Sequence, residues 1–257
     1  MKFLAVDAGN TSIHFAFYKK GARRRHLSVS SRVSKKILTR FLAKHFSGLR
    51  QAEVVIASVV PDVNGILKDF FGKKQEVRMR FVGAKLPVGM VNRYQNPKQV
   101  GVDRLLGALA AYRRFRKELI VIDFGTAITF DVVSRKGEYL GGAIAPGIEI
   151  SLEALFQKTA LLPKIVLEHP RNVIGRNTTE SIRVGCSVGI GGLCDRMVEA
   201  ISKKHRLKPV VIATGGYAAF MKKYCRSIHH IDPNLILDGI LLTASASATG
   251  PRHPLLP

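Results

Sequence analysis

Leu4-Ala5-Val6-Asp7-Ala8-Gly9-Asn10-Thr11 decides the fold, because its design returns 116 residues later as Ile120-Val121-Ile122-Asp123-Phe124-Gly125-Thr126-Ala127. Each stretch is an apolar run that ends in Asp-x-Gly and then in small residues. Apolar residues resume at Ile13, Phe15 and Phe17 in the first case and at Ile128 and Phe130 in the second. This pattern predicts a β-hairpin with a glycine turn. Small side chains let a turn backbone approach a phosphate, with N–H, Asn and Thr groups as donors. An Asp at the strand end offers a hard oxygen to a cation. Two such hairpins predict two similar half-domains that close on a nucleotide, and so phosphoryl transfer.

Composition is consistent with this reading. A chain of 257 residues, 46% of them hydrophobic, buries a real core and is not disordered. Its longest apolar stretches, such as Leu105–Tyr112, fall short of the ~20 residues a membrane span needs. Asp7 interrupts the first apolar run, which argues against a signal peptide. Cys186, Cys194 and Cys225 show neither zinc spacing nor a disulfide framework, which suits a reducing cytosol. The net charge of +23 is gathered in scattered clusters, among them Lys19–Arg25, Lys35–Lys44 and Lys73–Arg80. They read as loops and helix ends, with no interleaved aromatics and no nucleic-acid-binding signature. Such a surface steers anionic substrates toward the protein.

Between the hairpins, the helical spacing of Ile37, Leu38, Phe41 and Leu42 predicts a helix over Ser34–Phe46, a β-branched run predicts a buried strand over Val54–Val59, and Pro61 suits the first turn of a helix to about Phe71. A strand over Val77–Val82, a loop over Lys85–Lys98 and a helix over Gly101–Phe115 follow. After the second hairpin come a glycine-rich turn and strand, Gly137–Gly147, and a helix over Glu149–Gln157. Asn177-Thr178-Thr179-Glu180 reads as a capping-box start to a helix that runs to about His205. Gly185, Gly189, Gly191 and Gly192 in that helix predict close backbone packing, as against a partner subunit, since glycine costs roughly 1 kcal/mol per helical position. Val210–Ala213 is a strand, Thr214-Gly215-Gly216 a tight loop, Tyr217–Tyr224 a helix and Asp232-Pro233-Asn234 the start of a last helix. The predicted halves are residues 1–117 and 118–248 with a cleft between them, and 249–257 is a frayed tail.

Gly101-Val102-Asp103-Arg104 opens a helix. By itself it fits two readings: a first-turn carboxylate favoured by the helix dipole beside a surface arginine, or a base near a substrate hydroxyl with an anion-gripping arginine. No Gly-x-x-x-x-Gly-Lys-[Ser/Thr] motif is present, which argues against a P-loop kinase. The absence of Gly-x-Ser-x-Gly argues against a hydrolase of that type.

Taken together, the ordered motifs resemble the type III pantothenate kinase family over Phe3 to about Ala246. They are Asp7–Thr11, Tyr94, Gly101–Arg104, Asp123–Asp131, Gly141–Gly147, Ile174–Thr178, Thr214–Gly216 and Asp232–Leu235. The resemblance implies an α/β fold of two ribonuclease H-like half-domains, of the acetate kinase/Hsp70/actin type. It implies ATP-dependent phosphorylation of pantothenate, the first step of coenzyme A synthesis, by a cytoplasmic homodimer that uses Mg²⁺ and a monovalent cation, K⁺ or NH₄⁺. By that resemblance Asp103 is the catalytic base and Asp123 holds the monovalent cation. Asp7, Ala8, Gly9, Asn10, Thr11, Ser12, Ile13, His14 and Thr126 contact ATP, and Asp7 faces its Mg²⁺–phosphate end. Tyr94, Gly101, Val102, Asp103, Arg104 and Thr178 line the pantothenate site. His14 departs from the pattern, since some relatives carry a lysine there. The alternatives are a kinase of another small hydroxy acid on the same fold and a nucleic-acid-binding transcription accessory protein.

Overall fold

The computed structural model describes residues 2–19, 22–83, 86–206 and 208–249. The expected tail at 250–257 lies outside them. The chain forms two compact units, Met1–Ala110 with Asn234–Pro257, and Ala111–Pro233.

The first unit carries β1 (Lys2–Ala8), β2 (Ser12–Lys19), β3 (Ala22–Ser30), α1 (Lys35–Phe46), β4 (Ala52–Ser58), α2 (Pro61–Phe71), β5 (Val77–Phe81) and the start of α3 (Val102–Phe115). Its sheet has the order β3-β2-β1-β4-β5. β1 pairs antiparallel with β2 and parallel with β4, β2 antiparallel with β3, and β4 parallel with β5. The central strand reads as continuous apolar sequence because both its faces are covered. Leu4, Val6 and Ala8 pack under Leu38, Leu42, Val63 and Leu67 of α1 and α2. Phe3 and Ala5, on the other face, pack with Leu106 and Leu109 of α3.

The second unit carries β6 (Leu119–Phe124), β7 (Ala127–Val133), β8 (Tyr139–Pro146), α4 (Ile148–Lys158), α5 (Thr178–Val184), α6 (Ile190–His205), β9 (Val210–Thr214), α7 (Ala218–Met221) and β10 (His230–Ile231). Its sheet, β8-β7-β6-β9-β10, repeats the first in order and in strand direction. Two copies of this mixed five-stranded arrangement are two ribonuclease H-like halves. Ile120, Ile122 and Phe124 pack on one face with Cys194 and Val198 of α6 and Met221 of α7.

Four features differ from the sequence expectation. The run Lys19–Arg25 belongs largely to strands, since β3 is an exposed edge whose basic side chains suit solvent and discourage edge-to-edge pairing. The helix expected over 178–205 is interrupted by a π-helical turn at Gly185–Gly189, where glycines lower the cost of irregular winding. The helix at Tyr217–Tyr224 shortens to α7. Finally, α8 (Leu235–Thr249) packs with the first unit rather than the second: Leu237, Ile240 and Ala244 join Phe3 and Ala5, and Gly239 lies against the Leu106 backbone, where a Cβ would clash. All three cysteines are free and buried.

Candidate active site

Asp7 stands at the end of β1, opposite His14 in register and beside Ala57 of β4. Alternation places Asp7, His14 and Ser12 on the sheet face that carries Phe3, Ala5 and Ala16, at the point where that face turns from apolar to polar. Ala8 and Ile13 face the opposite core and anchor the hairpin from below. Between the strands, the Gly9 N–H donates to the Ser12 carbonyl at 3.0 Å. Ser31, which the sequence reading missed, braces this loop twice. Its hydroxyl donates to the Gly9 carbonyl at 2.5 Å and its N–H to the Thr11 carbonyl at 3.0 Å. The loop's carbonyls are thereby turned toward Ser31. Gly9 has no left-handed φ, and a Cβ on it would meet nothing closer than the Ser12 carbonyl oxygen at 3.5 Å. The turn itself therefore does not require glycine. What glycine leaves is open space over the backbone, which suits the approach of a phosphate.

The second hairpin is built differently. Asp123 is aligned with Thr129 of β7 and with the buried Thr214 of β9. The Gly125 N–H donates to the Ala127 carbonyl at 3.2 Å, leaving Gly125 and Thr126 as a two-residue turn. Two glycines close around it. Gly215, at φ +88°, lies so near that a Cβ there would strike Asp123 Oδ1 and come within 2.7 Å of the Phe124 carbonyl. A Cβ on Gly147 would strike the Thr126 carbonyl and come within 2.7 Å of that of Gly125. Asp123 Oδ1 and the Phe124 carbonyl thus crowd Gly215, and the Gly125 and Thr126 carbonyls crowd Gly147, hard oxygens of the kind a cation takes. Below Asp123 on the same face, Asp131 is buried and accepts from Thr129 Oγ1 at 3.0 Å and from the Tyr139 hydroxyl at 2.8 Å.

Asp103 lies in the first turn of α3, whose Leu106 and Leu109 pack on the face that carries Asp7 and His14. Its Oδ1 accepts from the Arg104 N–H at 2.9 Å and folds over Gly101, where a Cβ would collide with it. Gly101 is thus the space that lets the carboxylate turn back over the helix start. Val102 is half-buried and packs on the same core as Leu106. The half-buried Tyr94 belongs to the same unit. Its loop is fixed by Asn92, which accepts from the Tyr94 N–H at 3.0 Å and donates to the Pro97 carbonyl at 3.2 Å. Thr178 is exposed at the start of α5, in the second unit. Asn177 caps that helix through the Glu180 N–H at 2.9 Å. The reciprocal arm of the expected capping box is not made, because the Glu180 carboxylate accepts from Arg171 N–H and Arg183 instead. Those hydrogen bonds, led by Arg183, hold the Glu180 carboxyl below its ordinary range.

A mixed five-stranded sheet present twice, with an Asp-x-Gly hairpin in each half, defines a class: the acetate kinase, Hsp70 and actin type of fold with two ribonuclease H-like halves. Solved structures agree on the fold. A 2-dehydro-3-deoxygalactonokinase from Sinorhizobium meliloti superposes with TM-score 0.64 at 14% identity, over 96% of this chain and 100% of that one. A Baf-family transcriptional activator from Campylobacter jejuni gives 0.63 at 19% identity, over 96% and 100%. The sequence profile of type III pantothenate kinase matches residues 3–200. A type III pantothenate kinase from Anaeromyxobacter sp. (strain K) is 41% identical over 244 residues, which is 92% of this chain and 96% of that protein. One from Myxococcus xanthus is 38% identical over 244 residues, 92% and 95%. The chain belongs to the type III pantothenate kinase family, whose ATP-dependent phosphorylation of pantothenate serves coenzyme A synthesis.

Proposed function

We propose that this chain transfers the γ-phosphoryl group of MgATP to the primary hydroxyl of pantothenate, with Asp103 as the base that orients and deprotonates it. The observation that carries this reading is the placement of Asp103 at the N-terminus of α3, folded over Gly101, on a helix whose Leu106 and Leu109 pack on the sheet face that carries Asp7. A carboxylate at a helix N-terminus, where the dipole favours its charged form, is set up to orient the hydroxyl. That matches a largely dissociative transfer, in which the hydroxyl proton leaves late and positioning dominates. Asn10, Thr11 and Ser12 donate to phosphate oxygens that approach over the open backbone of Gly9, Asp7 faces their Mg²⁺ end, and Thr126 contacts ATP from the second hairpin. Tyr94, Arg104 and Thr178 hold pantothenate.

The oxygen-lined turn at Asp123 fits a monovalent cation, K⁺ or NH₄⁺, which would offset phosphate charge when bound. The assembly is a homodimer built through the second unit. Among the described residues, ten of the thirteen large apolar side chains exposed to solvent lie between Leu140 and Leu193. On the helix there, Gly185, Gly189 and Gly192 face open space. Such a concentration of exposed apolar side chains in one unit supports an interface there. The free, buried thiols suit a reducing compartment and support the reading of a cytoplasmic enzyme.

The test is ADP release from MgATP with and without pantothenate, in K⁺ and in Na⁺ buffer. Release that requires pantothenate and K⁺ is expected. Asp103→Asn should lower kcat by about 10²–10⁴-fold with little change in the KM for ATP. Full turnover by that variant would refute the base. A fully active monomer in sedimentation would refute the dimer.

A further inference from the structure

His26 belongs to none of the motifs that define the site, and it sits on the edge strand β3. Its ring stacks on that of His14, with centroids 5.4 Å apart and planes at 12°. His14 Nδ1 and His26 Nε2 are 3.3 Å apart, and His14 Nε2 is 2.8 Å from the Ser12 hydroxyl. A hydrogen-bonded chain therefore runs from the rim of the phosphate loop, through His14, to His26. The charged and titratable groups around it are Asp7, opposite His14 on β1, and Arg23 on β3. Further along the same face, Tyr18 is paired with Asp238 of α8.

The geometry limits what this pair can do. One hydrogen atom fits between His14 Nδ1 and His26 Nε2. The pair is therefore neutral or singly charged while the contact lasts, because two protons facing each other would break it. The added proton can rest on either ring; an anion beside His14 favours the state in which both His14 nitrogens are donors, Nε2 toward the loop and Nδ1 toward His26, which then stays neutral as the acceptor. A lysine at position 14 would bring its charge permanently. This pair must collect one.

We propose that His26 is a positioning residue for nucleotide binding: by accepting from His14 Nδ1 it lets His14 meet a nucleotide phosphate as a cation, so that binding ATP takes up one proton. The proposal rests on the reading that the first hairpin holds the phosphates. Burial, followed by the neighbouring His26, holds His14 below the ordinary histidine value. Partial burial, followed by Arg23, does the same for His26. The free pair is accordingly neutral near pH 7.5, and an anion beside His14 raises its proton affinity. Affinity for MgATP must then strengthen as pH falls and weaken as it rises.

Isothermal titration of the whole enzyme with MgATP at pH 7.5, in buffers of different ionisation enthalpy, counts the protons. His14→Lys serves as the zero, since it carries its own charge and corrects for protons released or bound by the nucleotide. Wild type should take up close to one proton more than His14→Lys. Its Kd should weaken several-fold between pH 7 and pH 8, where that of His14→Lys stays flat. His26→Phe keeps a stacking ring but has no acceptor, so it should lose more than half of the proton uptake and bind several-fold more weakly. His26→Gln, whose amide oxygen accepts, should recover most of both. Binding by wild type with no more uptake than His14→Lys would overturn the proposal and leave the phosphate-loop reading intact, as would His26→Phe matching wild type in uptake and Kd. No binding of MgATP at all would remove both.

Discussion

The two hairpins share a sequence design and differ in what surrounds them. Around the first, Ser31 takes the carbonyls of Gly9 and Thr11, and a Cβ on Gly9 would meet only ordinary contact. Around the second, Gly147 and Gly215 press against carbonyl oxygens and the Asp123 carboxylate. The first turn keeps its carbonyls occupied and its approach open, which suits an anion. The second gathers oxygens behind two glycines, which suits a cation. A duplicated turn thus acquires opposite electrostatic roles from its neighbours, while its own Asp-x-Gly stays the same.

The sharpest way to break this contrast is to add one methyl group to each side. Gly215→Ala forces a Cβ into the Asp123 carboxylate at φ +88°, a conformation that L side chains rarely adopt. A displacement on the order of 1 Å at a positioned group costs roughly 10²-fold, and a loss of that size in kcat/KM is expected. Gly9→Ala should leave thermal stability near that of wild type and act mainly on the KM for ATP. Equal losses of stability in the two variants would end the distinction.

A smaller effect tests the cation directly. Wild-type turnover in K⁺ should exceed that in Na⁺ by about tenfold, equivalent to ~1.4 kcal/mol of barrier. Asp123→Asn, without the negative oxygen, should be slow in both salts and insensitive to the exchange. If Asp123→Asn keeps the full K⁺ preference, the cation lies elsewhere.

The halves also differ in how their polar faces are braced. The Tyr139 hydroxyl donates to a carboxylate that is 1% exposed, at 2.8 Å, whereas that of Tyr18 donates to the half-buried Asp238 at 3.2 Å. Tyr139→Phe should destabilise the protein by about 1.5–3 kcal/mol and Tyr18→Phe by about 0.5–1.5 kcal/mol in denaturant titrations. The reverse order would show that burial does not set the difference.

Both hairpins were legible in the sequence because a buried strand followed by Asp-x-Gly carries its own signal, and the apolar spacing of α1 and the Pro61 start of α2 were equally plain. β3 was not legible. An edge strand needs only backbone pairing on one side, so Arg23, Arg24 and Arg25 cost it nothing and no alternation marks it. His26 was hidden for the same reason. Ser31, Gly215 and Asn92 support the site through contacts that only the fold creates. The side taken by α8 was likewise open, because an apolar helix does not state which sheet it will cover.

The smallest expected effect concerns the second unit alone. Burial raises the Asp195 carboxyl, but hydrogen bonds from Ser227 and the Arg226 N–H outweigh it, and the net result lies below the ordinary value of 3.8. The two backbone bonds, at 2.9 and 3.0 Å, tie α6 to the segment after α7, next to the point where Gly191 touches the Tyr224 backbone. A carboxylate lowered in the folded state stabilises it fully above its unfolded pKa, and that contribution fades as pH falls through the folded one. Asp195→Asn should therefore lower stability modestly at pH 7 and have a shallower loss of stability below about pH 4. Melting curves for both proteins between pH 3 and pH 7 would show the two converging at the acid end, and parallel curves would mean that this carboxylate contributes nothing through its charge.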